Sequence, residues 1–182
     1  YDLERDSGGT LSSDPMAALA DWEAVLCWAE DLGSDVESQP LDVAKLLAPV
    51  PTPEKIFGVG LNYHDHAREA GLDVPKSPLI FTKFPNCLNR PDGDVELSSD
   101  RVDWEAELVV VIGHTTRDIS IEESWSHVAG LMVGQDISDR ELQLGAQPPQ
   151  FGLGKSRDTY GPTGPILVSP DSFGDPDNLA IT

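Results

Sequence analysis

Positive charge is what this sequence has least of. Twelve Lys and Arg stand against 32 Asp and Glu, for a formal net charge of −20 and a pI near 4.2. Phosphate backbones are gripped by clustered cations, so this balance argues against a nucleic-acid partner. Only five residues are lysine, and the carboxylates run through the whole chain. That suggests a halophilic protein, because screening over a few ångströms at molar salt makes the mutual repulsion tolerable; the plainer reading is a solvated acidic surface. Cysteine is as scarce. Cys27 and Cys87 lie 60 residues apart, without the Cys-x-x-Cys spacing of a metal knuckle or redox pair, and nothing supports a disulfide between them. Cys27 falls in a helical pattern and is expected to be a small buried hydrophobe. Long apolar runs are missing too: none approaches the roughly 18 residues of a membrane span. No basic stretch followed by an apolar one opens the chain, so the expectation is a cytoplasmic protein with no membrane partner. A length of 182 residues, 39% hydrophobic and 24% charged, fits one main globular domain.

What the chain does have is a helix signal followed by many short apolar segments. Asp14 and Pro15 form an N-cap and first-turn pair, and Leu19, Trp22, Leu26 and Ala29 follow the spacing of one apolar face. One helix is predicted through residue 32, with Gly33 just past its end. "LLAPVPTPEK", residues 46–55, carries three prolines and is extended. It divides a small N-terminal region, 1–50, from a main domain, 51–182. Beyond it, "KIFGVGLN", "PLIFTKF", "DVEL", "ELVVVIG", "HVAGLMVGQDI" and "GPILVS" read as strands. Helical turns are expected in "YHDHAREAG" and "IEESWSHV". The class is α+β and β-rich.

Two glycine-rich segments invite a nucleotide reading and fail it. "QFGLGKSRD", residues 150–158, has Pro149 where a phosphate loop needs its first glycine, and no apolar strand precedes it. "GVGLNY" lacks the third glycine of a dinucleotide fingerprint. The strongest signal is "DWEAELVVVIG", residues 103–113. As one strand it sets Asp103, Glu105 and Glu107 on one face, just before an apolar run that enters a core. Unpaired buried carboxylates cost several kcal/mol each, and a hard divalent cation would relieve them. An exposed edge strand with one charged face is the plainer alternative. Asp136, after the apolar run of residues 127–135, is the candidate third carboxylate. In "LNYHDHAREAG", His66 and Glu69 are three apart on a helical turn, so the carboxylate can orient the imidazole. A solvated helix face accounts for them equally, and a zinc site through His64 and His66 lacks further ligands in spacing.

"VGLNYHDHAREAG", "SPLIFTKF", "VDWEAELVVVIG", "VGQDISDRELQ" and "LGKSRDTYGPTGP", in this order and spacing, resemble the fumarylacetoacetate hydrolase family over residues 50–182. The resemblance implies a mixed β-sandwich roll, preceded by a small N-terminal region containing a helix, and a homodimer. It implies Mg²⁺, with Mn²⁺ or Ca²⁺ as substitutes, held by Glu105, Glu107 and Asp136. Asp103 matches the pattern without being an implied ligand. His66 and Glu69 would activate water or move a proton, Lys155 would face an oxyanion, and Arg140 and Gln143 would contact a small 2-oxo or 2,4-dioxo acid. The activity implied is hydrolysis of a C–C bond in an acylpyruvate. Oxaloacetate decarboxylation or isomerisation of a 2-hydroxymuconate-type diacid is the alternative, and a truncated, inactive binding module is the reading outside enzymes. Arg157 stands where the family commonly has an apolar or aromatic residue. The family also continues beyond the position of Thr182 with a glycine-rich closing loop, so a fragment or a truncated member is expected.

Overall fold

The computed structural model describes residues 1–32 and 40–181. Three short helices come first: α1 (Leu3–Asp6), α2 (Pro15–Ala20) and α3 (Trp22–Glu30). Then follow β1 (Ile56–Gly60), α4 (His64–Glu69), β2 (Leu79–Lys83), β3 (Leu88–Asn89), β4 (Val102–Asp103), β5 (Ala106–Ile112) and β6 (Val128–Gln135). The chain continues through β7 (Ser138–Asp139), α5 (Arg140–Leu144), α6 (Phe151–Gly154) and β8 (Gly161–Val168).

The single helix predicted from residue 15 is two. Asp14 caps α2 through Ala17 N as expected, but Asp21 leaves helical geometry at φ −122° and ψ 43°. Its N–H still bonds to Ala18 and its carbonyl accepts from Val25, so the chain turns without losing its main-chain bonds. The predicted end at Gly33 lies outside the described residues. Cys27 is exposed rather than buried. Leu19 and Met16, with Trp22, pack inward, and Cys27 sits about 140° around α3 from Trp22. Cys87 is buried, and both thiols are free.

The main sheet is mixed, in the order β3-β8-β6-β5, with β3 parallel to β8 and the other pairs antiparallel. Leu19 and Val50 share one core with Val111, Ala129 and Met132 of β5 and β6, so α2 and Val50 pack directly on this sheet. β1 and β2 form an antiparallel ribbon. β4 and β7 form another of two residues each. "DVEL", residues 94–97, is not a strand; within it Glu96 N–H bonds to a side chain, Thr159 Oγ1, at 2.9 Å.

Nor is residues 103–113 one strand. β4 pairs with β7, whereas β5 pairs with β6, and Trp104 and Glu105 are the crossing between the two ladders. Across that break Asp136 N–H donates to the Glu105 carbonyl at 2.9 Å. The interruption therefore sets Glu105 and Asp136 opposite each other, free of regular strand geometry. A second cluster, Cys87, Ile137 and Tyr160, packs beside it.

Candidate active site

At the ladder break a lysine lies between two acids. Lys155, the C-cap of α6, is 2% exposed. Its Nζ donates to Asp136 Oδ2 at 2.7 Å, Glu105 Oε2 at 2.9 Å and Ser138 Oγ at 2.7 Å. An ammonium has three protons, and all three are used. Close helix contact brings it there: a Cβ on Gly154 would lie 3.0 Å from Gln143 N, so a side chain there would push α6 back from α5 by a few tenths of an ångström. Phe151 of α6 stacks on Phe81 of β2 at 5.6 Å, and the Lys155 ammonium lies 5.3 Å from the Phe81 ring centre.

Arg140 covers the other side. Its Nη1 donates to Glu105 Oε1 at 2.6 Å and to Gln143 Oε1 at 3.0 Å, and its Nη2 to Asp103 Oδ2 at 2.8 Å. Asp103 is thus tied to Arg140 and drawn away from the Glu105–Asp136 pair. Gln143 is buried. Its Oε1 is taken by Arg140, and among the described residues its amide N–H groups have no hydrogen-bond acceptor.

Glu107, two residues on from Glu105 on β5, is partly buried. Burial, and the fields of Asp136 and Glu105, push its carboxyl up to about 6. Tyr63, immediately before α4, donates its hydroxyl to Glu107 Oε2 at 3.4 Å, and burial with the Glu107 charge raises the phenol above its ordinary value. Tyr63 and His64 also line an open cleft of about 230 Å³, together with Val59 and the segment Val74–Pro78.

His66 and Glu69 share α4 as predicted, but both are exposed. Among the described residues no hydrogen bond or ion pair joins their side chains. Arg157 reaches Asp139 Oδ2 at 3.6 Å, outside the carboxylate cluster. Lys83, at the end of β2, is a site residue that sequence reasoning missed: its Nζ lies 2.7 Å from Asp136 Oδ1. The available signal was a lysine, one of five, inside the apolar run "PLIFTKF".

Among the described residues no three acidic, imidazole or thiol groups close on one point to hold a metal ion. The Lys155 ammonium stands between Glu105 and Asp136 instead. The chemistry of the donors nevertheless suits a hard divalent ion: all are carboxylate oxygens. Burial first, and then the fields of Asp136 and Glu105, disfavour the charged form of Glu107 even with Lys155 in place. Glu105, Glu107 and Asp136 would hold such an ion.

A mixed sheet whose ladders break where Glu105 and Asp136 meet the buried ammonium of Lys155 forms a charge-paired polar centre. Residues 55–182 match the family model described as the fumarylacetoacetate hydrolase C-terminal domain, and the chain belongs to the fumarylacetoacetate hydrolase family. It is 43% identical over 152 residues to the mitochondrial oxaloacetate tautomerase FAHD2A of Bos taurus, covering 82% of this chain and 48% of that protein. The human FAHD2A, of the same description, is 41% identical over 175 residues, 94% of this chain and 56% of that one. A crystal structure from Mycobacterium smegmatis, provisionally named an HpcE protein, superposes with a TM-score of 0.87. It is 42% identical, over 96% of this chain and 62% of that one. The fumarylacetoacetate hydrolase of Exiguobacterium antarcticum gives a TM-score of 0.69 at 36% identity, over 80% and 53%. The fold is therefore that of the family, and the chain spans about half the length of the curated relatives it matches.

Proposed function

We propose that the chain supplies the acid–lysine centre of an enzyme that moves a proton on a small 2-oxo dicarboxylic acid, as in keto–enol tautomerisation of oxaloacetate. The observation that carries this reading is Lys155, a buried cation held, among the described residues, by side chains alone: Glu105, Asp136 and Ser138. Enolisation puts negative charge on the former carbonyl oxygen, and a preorganised donor in a site shut off from water stabilises that charge. Arg140 and Gln143, three residues apart on α5 and hydrogen-bonded to each other, are placed to orient the substrate carboxylates. A divalent ion on Glu105, Glu107 and Asp136 would neutralise the acids and polarise the carbonyl. It would also release Lys155 to face the substrate. His66, on the exposed face of α4, takes the proton from carbon and returns it. Its separation from Glu69 suits proton exchange better than the holding of a water for attack. The names of the relatives at 41–43% identity support tautomerisation.

Hydrolysis of an acylpyruvate C–C bond is the second reading, favoured by the family description; it requires His66 and Glu69 to come into hydrogen-bond contact. The two separate in one assay. Decay of enol-oxaloacetate absorbance and cleavage of acetylpyruvate are followed side by side with Mg²⁺. The proposal expects tautomerisation, lowered about 10²- to 10³-fold in Lys155→Met. Cleavage of acetylpyruvate without tautomerisation would establish the hydrolase, and turnover of neither would leave a binding module.

A further inference from the structure

We propose that Lys83 is a positioning residue of this site, the stationary cation that holds Asp136 in place while Lys155 exchanges partners. Lys83 is 7% exposed and Asp136 8%, so neither charge is tolerable alone. The three ammonium protons of Lys83 go to Asp136 Oδ1 at 2.7 Å, the Tyr160 carbonyl at 3.0 Å and the Lys155 carbonyl. Two of its three partners are therefore main chain, and one of these is the backbone of the catalytic lysine itself. Among the described residues the Lys155 ammonium bonds only to side chains and leaves them by rotating its own stem. Lys83 cannot leave without unseating the connector from α6 to β8.

The neighbours of Lys83 secure the same connector. Phe84 N–H bonds to Ser156 Oγ at 3.0 Å, and Asn86 Nδ2 reaches Ser156 O at 2.9 Å and Asp158 Oδ1 at 2.7 Å. The end of β2 thus fastens the loop that carries Lys155, and Lys83 occupies Oδ1 of Asp136 so that only Oδ2 faces Lys155 or whatever displaces it. The two lysines divide one carboxylate between a structural half and a working half.

This inference rests on the reading of Glu105, Glu107 and Asp136 as a divalent-cation site, and Mn²⁺ is the probe. Calorimetry and Mn²⁺ paramagnetic resonance are run on the wild type, Lys83→Met and Lys155→Met, with kcat and KM for oxaloacetate measured beside them. Removing a group that orients a ligating carboxylate lowers metal affinity about 10- to 100-fold. That is the result expected for Lys83→Met, with an altered Mn²⁺ spectrum and a fall in kcat rather than a rise in KM. Lys155→Met, which removes a competing cation, binds Mn²⁺ at least as tightly as the wild type. Wild-type Mn²⁺ affinity and kcat in Lys83→Met would overturn the proposal. Should Lys83→Met fail to fold, Lys83→Arg keeps the charge but cannot reproduce three bonds from one nitrogen. It is expected to fold and lose affinity similarly, and wild-type binding there would equally overturn the idea. If the wild type itself binds no Mn²⁺, the functional reading fails and Lys83 is judged without metal. Thermal midpoints of Lys83→Met, Asp136→Asn and the double variant then decide: overlapping losses support the pairing, and additive losses refute it.

Discussion

Arg140 grips Asp103 through two guanidinium nitrogens, Nη2 at 2.8 Å and Nε at 3.1 Å, both on Oδ2. The hydrogen bond from Arg140 holds the Asp103 carboxyl below its ordinary value. The remaining arm of Arg140 reaches Glu105, so Asp103 governs how much of Arg140 falls on Glu105. Because the Asp103 side chain is 51% exposed, Asp103→Asn should cost less than about 1 kcal/mol of stability. Divalent-ion affinity should nevertheless drop several-fold, as Arg140 turns its full charge on Glu105. Denaturant melts and calorimetry on the same variant check both halves.

Lys155 neutralises two acids in the absence of metal. Lys155→Met is predicted to lose about 3–5 kcal/mol in chelator, the range for breaking a buried ion pair. Added Mg²⁺ should then raise its melting temperature by more than that of the wild type. Urea melts with and without Mg²⁺ test this; a loss below about 1 kcal/mol would mean that Lys155 is not the counter-ion described.

Asp139 provides a pH test away from the carboxylate cluster. It accepts from Ser98 Oγ at 2.6 Å and caps α5 through Leu142 N at 3.1 Å. The Ser98 bond is the main cause holding its carboxyl below the ordinary 3.8. A folded-state value depressed in this way adds stability above the unfolded value and loses it as pH falls through the folded one. Asp139→Asn should therefore be destabilised by a constant amount near neutrality, with the gap to wild type closing below pH 3.8. Melts from pH 7 to 3 follow the gap; one that widens toward acid would reverse the sign.

A net charge of −20 makes self-repulsion general. The Debye length shrinks from about 10 Å at 0.1 M to about 3 Å at 1 M salt, so the melting temperature should climb steadily with NaCl. A flat or falling curve would remove the case for halophilic adaptation.

Much of the fold was legible because β5 and β6 are apolar runs and short strands announce themselves between prolines and glycines. The break between β4 and β5 was not. Alternation in "DWEAELVVVIG" continues through Trp104 and Glu105, and only the partner strand shows where one ladder stops. Asp21 escaped for a similar reason, since the apolar spacing runs straight through it. The resemblance pointed to Glu105, Asp136 and Lys155, which the structure brings together, but not to Lys83, whose partners lie 53 to 77 residues away. Long-range pairing of that kind leaves no periodicity. His66 and Glu69 share a helix as their spacing required, yet spacing alone does not bring two exposed side chains into contact.

The most direct test is calorimetric titration of Mg²⁺ into the wild type and into a Glu105→Gln, Asp136→Asn double variant. One ion bound per chain by the wild type, and none by the variant, is the predicted result. Equal binding by both, or none by the wild type, would contradict the assignment of this acid and lysine cluster as the centre of the protein's chemistry.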